Sequence, residues 1–305
     1  MKVNGLFIVL VMIFLNVSCT KEISREQDTD PPVTDTTETV LDTIPLSDNG
    51  GLLKRIVMQY EGVNDSMVFH FKYDGNNRIT EYYGVKEGTA TDDGELYSLL
   101  QQFTRNENGL VDKMKLETYL YSGQTDVPAL HWSTDYKMHY DIATSEYKYA
   151  LVTGVGESEP INDSITYEYG SDKHLSMVLV YHSEPGDTAH LGNKYEYFYD
   201  AKGNISTYKA SFVRNYPDRE NWYINECVYD DKINPQNFGE EILLSGDIIM
   251  LSLPTVNNMT QSSNIINPDD GYTIQYIYNS YNKPTTATCN YATGEVVTFK
   301  YYYLK

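Results

Sequence analysis

One pattern recurs along residues 51–305 and limits the fold more than any other feature of the chain. A segment with aromatic side chains at alternate positions ends in Tyr-Asp or a variant. A short turn rich in Gly and Asn follows, and a second segment begins. The clearest copy is Val68-Phe69-His70-Phe71-Lys72-Tyr73-Asp74-Gly75-Asn76-Asn77-Arg78-Ile79-Thr80. A second is Lys194-Tyr195-Glu196-Tyr197-Phe198-Tyr199-Asp200-Ala201-Lys202-Gly203-Asn204-Ile205. Degenerate copies turn after Arg105, Tyr140, Tyr169, Tyr229 and Tyr278. The intervals are roughly thirty residues, room for two strands and two turns, so each repeat is about one hairpin. The last interval is longer by roughly twenty residues, which places an insertion near 237–266, where Glu240 to Leu244 suit a short helix. Asp at a strand end accepts backbone N–H bonds two residues on, and Gly and Asn tolerate the left-handed backbone of tight turns.

The alternation says which side packs. Phe69, Phe71 and Tyr73 share a face, as do Tyr195, Tyr197 and Tyr199, Tyr167 and Tyr169, and Tyr276 and Tyr278. The intervening positions are mostly polar: His70, Lys72, Thr166, Glu168, Glu196, Gln275. One face is apolar and the other wet, as antiparallel sheets allow. Sustained helical periodicity is absent. The expectation is an all-β, water-soluble, antiparallel up-and-down meander of roughly fourteen strands, two per repeat, as one barrel-like or curled sheet. A closed barrel of that width needs its interior filled, here by Tyr rings and the insertion. An open sheet would instead leave edges in need of protection.

The first fifty residues read differently. Lys2 precedes a ten-residue apolar run, Leu6 to Leu15, too short to span a bilayer as a mature helix. The run leads to Val17-Ser18-Cys19. A small residue followed by Cys resembles a bacterial lipobox, so residues 1–18 are expected to be a lipoprotein signal peptide and Cys19 the lipidation site. Several acyl chains on Cys19 would give stable membrane anchoring, where one chain binds only marginally. Residues 19–50 form an acidic tether rich in Thr, Asp and Glu, with Pro31, Pro32 and Pro45 and no apolar period. Lys21-Glu22 weakly resembles a surface-export tag, so the expected location is the outer membrane, facing the cell surface or the periplasm. A lipid anchor is redundant on an embedded barrel. Tyr, which dominates the aromatic face, suits the membrane interface rather than mid-bilayer. The chain ends in Tyr301-Tyr302-Tyr303-Leu304-Lys305, without the terminal aromatic typical of outer-membrane barrels.

These elements carry a resemblance. The chain looks like a bacterial lipoprotein family of unknown function with a porin-like fold. The matching residues are the lipobox at Cys19, the Tyr73–Ile79 turn, Tyr229-Asp230-Asp231-Lys232-Ile233-Asn234-Pro235, Asn257-Asn258-Met259-Thr260, and Tyr276-Ile277-Tyr278-Asn279 with Lys283-Pro284. The repeats also resemble the tyrosine-aspartate repeats of large secreted shell proteins. The family has no established activity, so the resemblance implies no catalytic residue and no cofactor.

Composition narrows the partners. The 305 residues carry 23 Lys plus Arg against 43 Asp plus Glu, and such a chain repels phosphate backbones, which excludes nucleic acid. Of the six His, His70 and His139 fall on the wet face. His182 and His190 flank a loop, Glu184 to Asp187, where a metal site is conceivable, but no ligand spacing of a known metal motif occurs. Ser and Cys nucleophile motifs and phosphate loops are missing. The acid pairs Asp92-Asp93, Asp230-Asp231, Glu240-Glu241 and Asp269-Asp270 fall in turns, where solvated carboxylates are the rule. Cys227 and Cys289 either pair or sit as separate buried thiols. Asp followed by Ser or Thr marks candidate O-glycosylation at Thr36, Thr43, Ser66, Ser164 and Thr188, all expected in the tether or in turns. The expected function is a lipid-anchored, non-enzymatic binding or structural module at the outer membrane, with a glycan or an envelope protein as the candidate partner. Trp132 and Trp222 are the stacking candidates for a sugar. A carboxylate-dependent glycoside hydrolase and a transporter accessory subunit are the alternatives.

Overall fold

The computed structural model describes residues 51–62, 66–87, 95–122, 129–155, 160–183, 188–212, 223–245 and 253–304. The signal peptide, Cys19, the tether with Thr36 and Thr43, Trp222 and Asp92-Asp93 lie outside the described residues. The strands are β1 (Leu53–Tyr60), β2 (Ser66–Tyr73), β3 (Ile79–Glu87), β4 (Glu95–Arg105), β5 (Val111–Ser122) and β6 (Ala129–Tyr140). They continue as β7 (Tyr147–Val155), β8 (Pro160–Tyr169), β9 (Leu175–His182), β10 (His190–Tyr199) and β11 (Ile205–Phe212). The last are β12 (Tyr223–Ile233), β13 (Asn257–Asn264), β14 (Tyr272–Tyr278), β15 (Pro284–Tyr291) and β16 (Val296–Tyr303). Each pairs antiparallel with its sequence neighbours, and β1 pairs with β16, from Leu53 opposite Tyr303 to Tyr60 opposite Val297.

The sheet is therefore a closed sixteen-stranded barrel, and the open, curled alternative does not occur. The strand count exceeds the expected fourteen for a simple reason. Each repeat turn joins an even strand to the next odd one, β2 to β3 through β14 to β15, and so counts two strands. The flanking β1 and β16 share no such turn and meet only by closure. Closure removes the edges that an open sheet would have to protect.

The turns repeat in atomic detail. In the turn 74–78, Asp74 Oδ1 accepts the N–H groups of Asn76 and Arg78, and the Asn77 N–H donates to the Asp74 carbonyl. Asp200 repeats this with Lys202, Asn204 and Gly203, and Asn279 with Tyr281, Lys283 and Asn282. The fourth turn residue is left-handed each time: Asn77, Gly109, Lys173, Gly203 and Asn282 have φ between 58° and 85°. The hydrogen bond from the Arg78 N–H holds the Asp74 carboxyl below its usual pKa.

The tyrosine before the turn has its own role. Its ring faces inward, and its hydroxyl reaches the backbone where the preceding odd strand starts. Tyr73 donates to the Leu53 carbonyl, Tyr199 to Leu175, Tyr229 to Ile205 and Tyr303 to Pro284, all within 3.0 Å. Tyr169 accepts from the Tyr147 N–H instead. Alternation then fills the interior: Val297, Phe299, Tyr301 and Tyr303 of β16 are buried, while Lys300 between them is exposed. Exposed Lys72, Lys113, Asp135, Lys148, Glu168 and Glu226 stand on the outer wall on β2, β5, β6, β7, β8 and β12, together with exposed Leu151, Phe198, Val228 and Ile277.

The two barrel rims differ. One carries the repeat turns, the entry of the chain at Leu53 and its exit at Tyr303. The described parts of the β12–β13 connection, 234–245 and 253–256, also sit there, and the first forms a plug with a 3-10 helix at Glu240–Ser245 whose Ile242, Leu243 and Leu244 are buried. The insertion expected near 237–266 overlaps this connection only in its first part, since Asn257–Asn264 form β13, and the buried 3-10 helix supplies interior filling of the kind a barrel of this width requires.

Candidate functional site

The plug is held by polar side chains that close on its backbone. Asn204 Oδ1 accepts the Asn257 N–H, Asn257 Nδ2 donates to the Lys232 carbonyl, and Asn258 Nδ2 to the Ile233 carbonyl. The Tyr167 hydroxyl reaches the Leu244 carbonyl at 2.6 Å, at the end of the 3-10 helix. Burial pushes the Tyr167 hydroxyl well above its ordinary pKa. At the start of that helix the two acids diverge. Glu240 takes His174 Nδ1 at 2.5 Å and the Leu175 N–H at 2.8 Å. Glu241 takes Arg105 Nη1 at 2.6 Å and the Tyr147 hydroxyl at 2.9 Å. Tyr147 is raised by burial and then by the Glu241 charge.

Arg105 is the anchor on the wall. Its side chain is only 7% exposed. Nη1 also donates to the Gly109 carbonyl at 3.1 Å and Nη2 to the Ile79 carbonyl at 3.3 Å. Its Nε is buried with no hydrogen-bond partner among the described residues. Arg78 reaches the same Gly109 carbonyl at 3.0 Å and pairs with Asp74 at 2.8 Å. The left-handed backbone at Gly109, with φ +85°, favours glycine, whereas the Arg78 side-chain tip, whose Nη1 would lie 1.9 Å from a Cβ there, could shift.

Between the plug and the turn 74–78 lies a half-open cleft of about 370 Å³. One side is apolar, with Leu52, Tyr73, Ile79, Pro235 and Phe238, and the other presents Asn77, Arg78, Arg105, Asn237 and Glu241. The Phe238 ring packs at 5.2 Å from Phe71 and 6.3 Å from Tyr73.

The other candidates fall elsewhere. Ser66 opens β2, and Thr188 is exposed just before β10. Ser164 corrects the turn expectation. It lies in the middle of β8, facing outward between inward Asp163 and Ile165, because Asp163 is drawn inside by His182. Trp132 is likewise not beside a loop but on β6, packed against the core. His70 and His139 stack on Tyr83 and Tyr149 of neighbouring strands. His182 and His190 are register partners with rings 6.3 Å apart, and His182 Nδ1 lies 2.7 Å from Asp163 Oδ2. No group of three or more metal-ligating side chains forms among the described residues. Cys227 and Cys289 are free thiols on β12 and β15, with β13 and β14 between them. Burial raises them to about 11 and about 12. Of the acid pairs, Glu240 holds His174, Glu241 pairs with Arg105, Asp230 accepts the Tyr278 hydroxyl, and Asp231 pairs with Lys232 at 3.1 Å.

Sequence reading missed Arg105, and one signal was available. At the last strand residue of the repeat, six of the seven copies carry Tyr and one carries Arg105. A charge at an inward-facing position demands a buried partner, which Glu241 supplies.

No family model matches the chain, and no curated protein matches it in sequence. Two solved structures, both of porin-like proteins, are similar to it. One, from Bacteroides vulgatus, is 12% identical with a TM-score of 0.36, covering 83% of this chain and 99% of that one. The other, from Bacteroides uniformis, is 12% identical with a TM-score of 0.50, covering 82% of this chain and 97% of that one. With the second, the chain shares a porin-like β-barrel fold.

Proposed function

We propose that the protein is a non-enzymatic module of the bacterial cell envelope, held at the outer membrane by lipid on Cys19 and otherwise exposed to water. The observation that carries this reading is the outer wall. A membrane-spanning barrel needs an apolar outward band, and a Lys or Arg at mid-bilayer costs about 2–4 kcal/mol. Here exposed Lys72, Lys113, Lys148 and Lys300 and exposed Asp135, Glu168 and Glu226 stand on the outer face among exposed Leu151, Phe198, Val228 and Ile277, so charged side chains are mixed with the apolar ones. Such a wall suits water, and membrane attachment then falls to the segment before Leu53. The porin-like neighbours support the envelope assignment at the level of fold. The plug acids support the non-enzymatic reading, because Glu240 and Glu241 each hold two hydrogen-bonding partners within the fold.

The test is fractionation of the full-length protein and its Cys19→Ala variant in a Gram-negative host. The wild type is expected in the membrane pellet after a carbonate wash, with diacylglycerol on Cys19 by mass spectrometry. The variant is expected in the soluble fraction. A variant that stays in the membrane would mean that the barrel itself is embedded. The same spectra read the glycosylation candidates Thr36, Thr43, Ser66, Ser164 and Thr188.

A further inference from the structure

We infer that the cleft beside the plug is a binding site for a neutral saccharide of one or two rings. The inference rests on the reading of the protein as a binding module and deepens it by naming a ligand class and a place. At about 370 Å³ the cleft lies within the size range of small-molecule sites.

Its two sides match the two sides of a sugar. The half-buried Phe238 ring, backed by Phe71 and Tyr73, offers an apolar surface for the C–H face of a pyranose. The facing side offers donors and acceptors in planar groups: the amides of Asn77 and Asn237, two guanidinium groups and one carboxylate. The charges cancel in pairs, Arg78 with Asp74 and Arg105 with Glu241. An ionic ligand would have to displace one of those partners. A sugar hydroxyl displaces nothing, since it can donate to a carboxylate and accept from a guanidinium at once.

Arg105 fixes the polar side of the cleft. Its side chain is more than nine-tenths buried and is held by Glu241 and by the Gly109 and Ile79 carbonyls, so what it presents to the cleft is already in place before a ligand arrives. A sugar hydroxyl that meets a donor held in this way loses little freedom on the protein side. Glu241 is held on both oxygens, by Tyr147 and by Arg105, so it can accept from a hydroxyl but is not free to shuttle a proton. The site fits binding rather than hydrolysis.

The experiment uses the full-length protein in a polyoxyethylene detergent, which has no sugar headgroup. Glucose, galactose, mannose, N-acetylglucosamine, maltose and cellobiose are screened by saturation-transfer NMR, then titrated by calorimetry. At least one is expected to bind saturably. Arg105→Lys, which keeps the charge and loses the Nε fork, should weaken it tenfold or more. Asn237→Ala, at an exposed position, should weaken it several-fold with an unshifted melting curve, so a folding defect in the first variant leaves the test intact. A silent panel overturns the inference. So does binding that both variants leave unchanged, or binding of acetate and glucuronate where neutral sugars are silent. The Cys19 fractionation is a separate measurement, so failure of either reading is seen independently of the other.

Discussion

The Tyr199 hydroxyl shows what a single atom contributes to this barrel. It satisfies the Leu175 carbonyl at the rim, where β9 begins and a ladder partner is lacking. The same bond recurs from Tyr73, Tyr229 and Tyr303, so the repeat keeps Tyr rather than Phe at this place. Tyr199→Phe preserves the ring, which stacks on His174 at 4.5 Å, and removes only the bond. A loss of about 1 kcal/mol is expected, read as a lower urea midpoint at unchanged slope. This residue-scale logic was half legible. The Asp and the left-handed Asn or Gly are local turn chemistry and stand plainly in Asp74 to Arg78. The carbonyl that each Tyr hydroxyl finds lies about twenty residues away on another strand, and no local pattern points to it.

At the scale of the element, the plug joins its own apolar helix to the wall through one deeply buried ion pair. Arg105 and Glu241 are further held by the Gly109 and Ile79 carbonyls and by the Tyr147 hydroxyl, while Arg105 Nε is left without an acceptor among the described residues. Breaking such a pair leaves an uncompensated buried charge, so Glu241→Ala is expected to cost about 3–5 kcal/mol. Glu240→Ala should cost about 1 kcal/mol or less from its ion pair, since its partner His174 is 41% exposed. Denaturation of the two variants side by side checks the ranking, and equal losses would contradict it. The helix at Glu240 to Leu244 was legible from its apolar run and its place in the long interval. Its docking was not, because Arg105, Tyr147, Tyr167 and His174 come from four different strands or turns. The cleft inherits that opacity, since its two sides are joined only when the plug seats.

Across the whole molecule, the tyrosines make stability depend on alkaline pH. Burial raises Tyr60 and Tyr169 to about 12, and Tyr208, Tyr272, Tyr276 and Tyr301 higher still. An unfolded Tyr ionises near 10, so this contribution is fully present below about pH 10 and is lost as pH climbs through the raised values. Each such Tyr removes about 1.4 kcal/mol per pH unit once the unfolded form is ionised. Melting temperatures should stay level to about pH 9 and then fall steeply. Most of the tyrosinate absorbance should rise together with the loss of circular dichroism, and full ionisation of the tyrosines near pH 10 on an intact fold would refute the argument. Closure itself was the one global property left open by the sequence. Repeat counting sees turns, and β1 and β16 meet without one. That seam also sets the order of events during synthesis. The first strand to emerge must wait for the last, and its partner is made of the final residues Val296 to Tyr303. Until then the nascent sheet carries two unpaired borders and invites neighbours to stack on them.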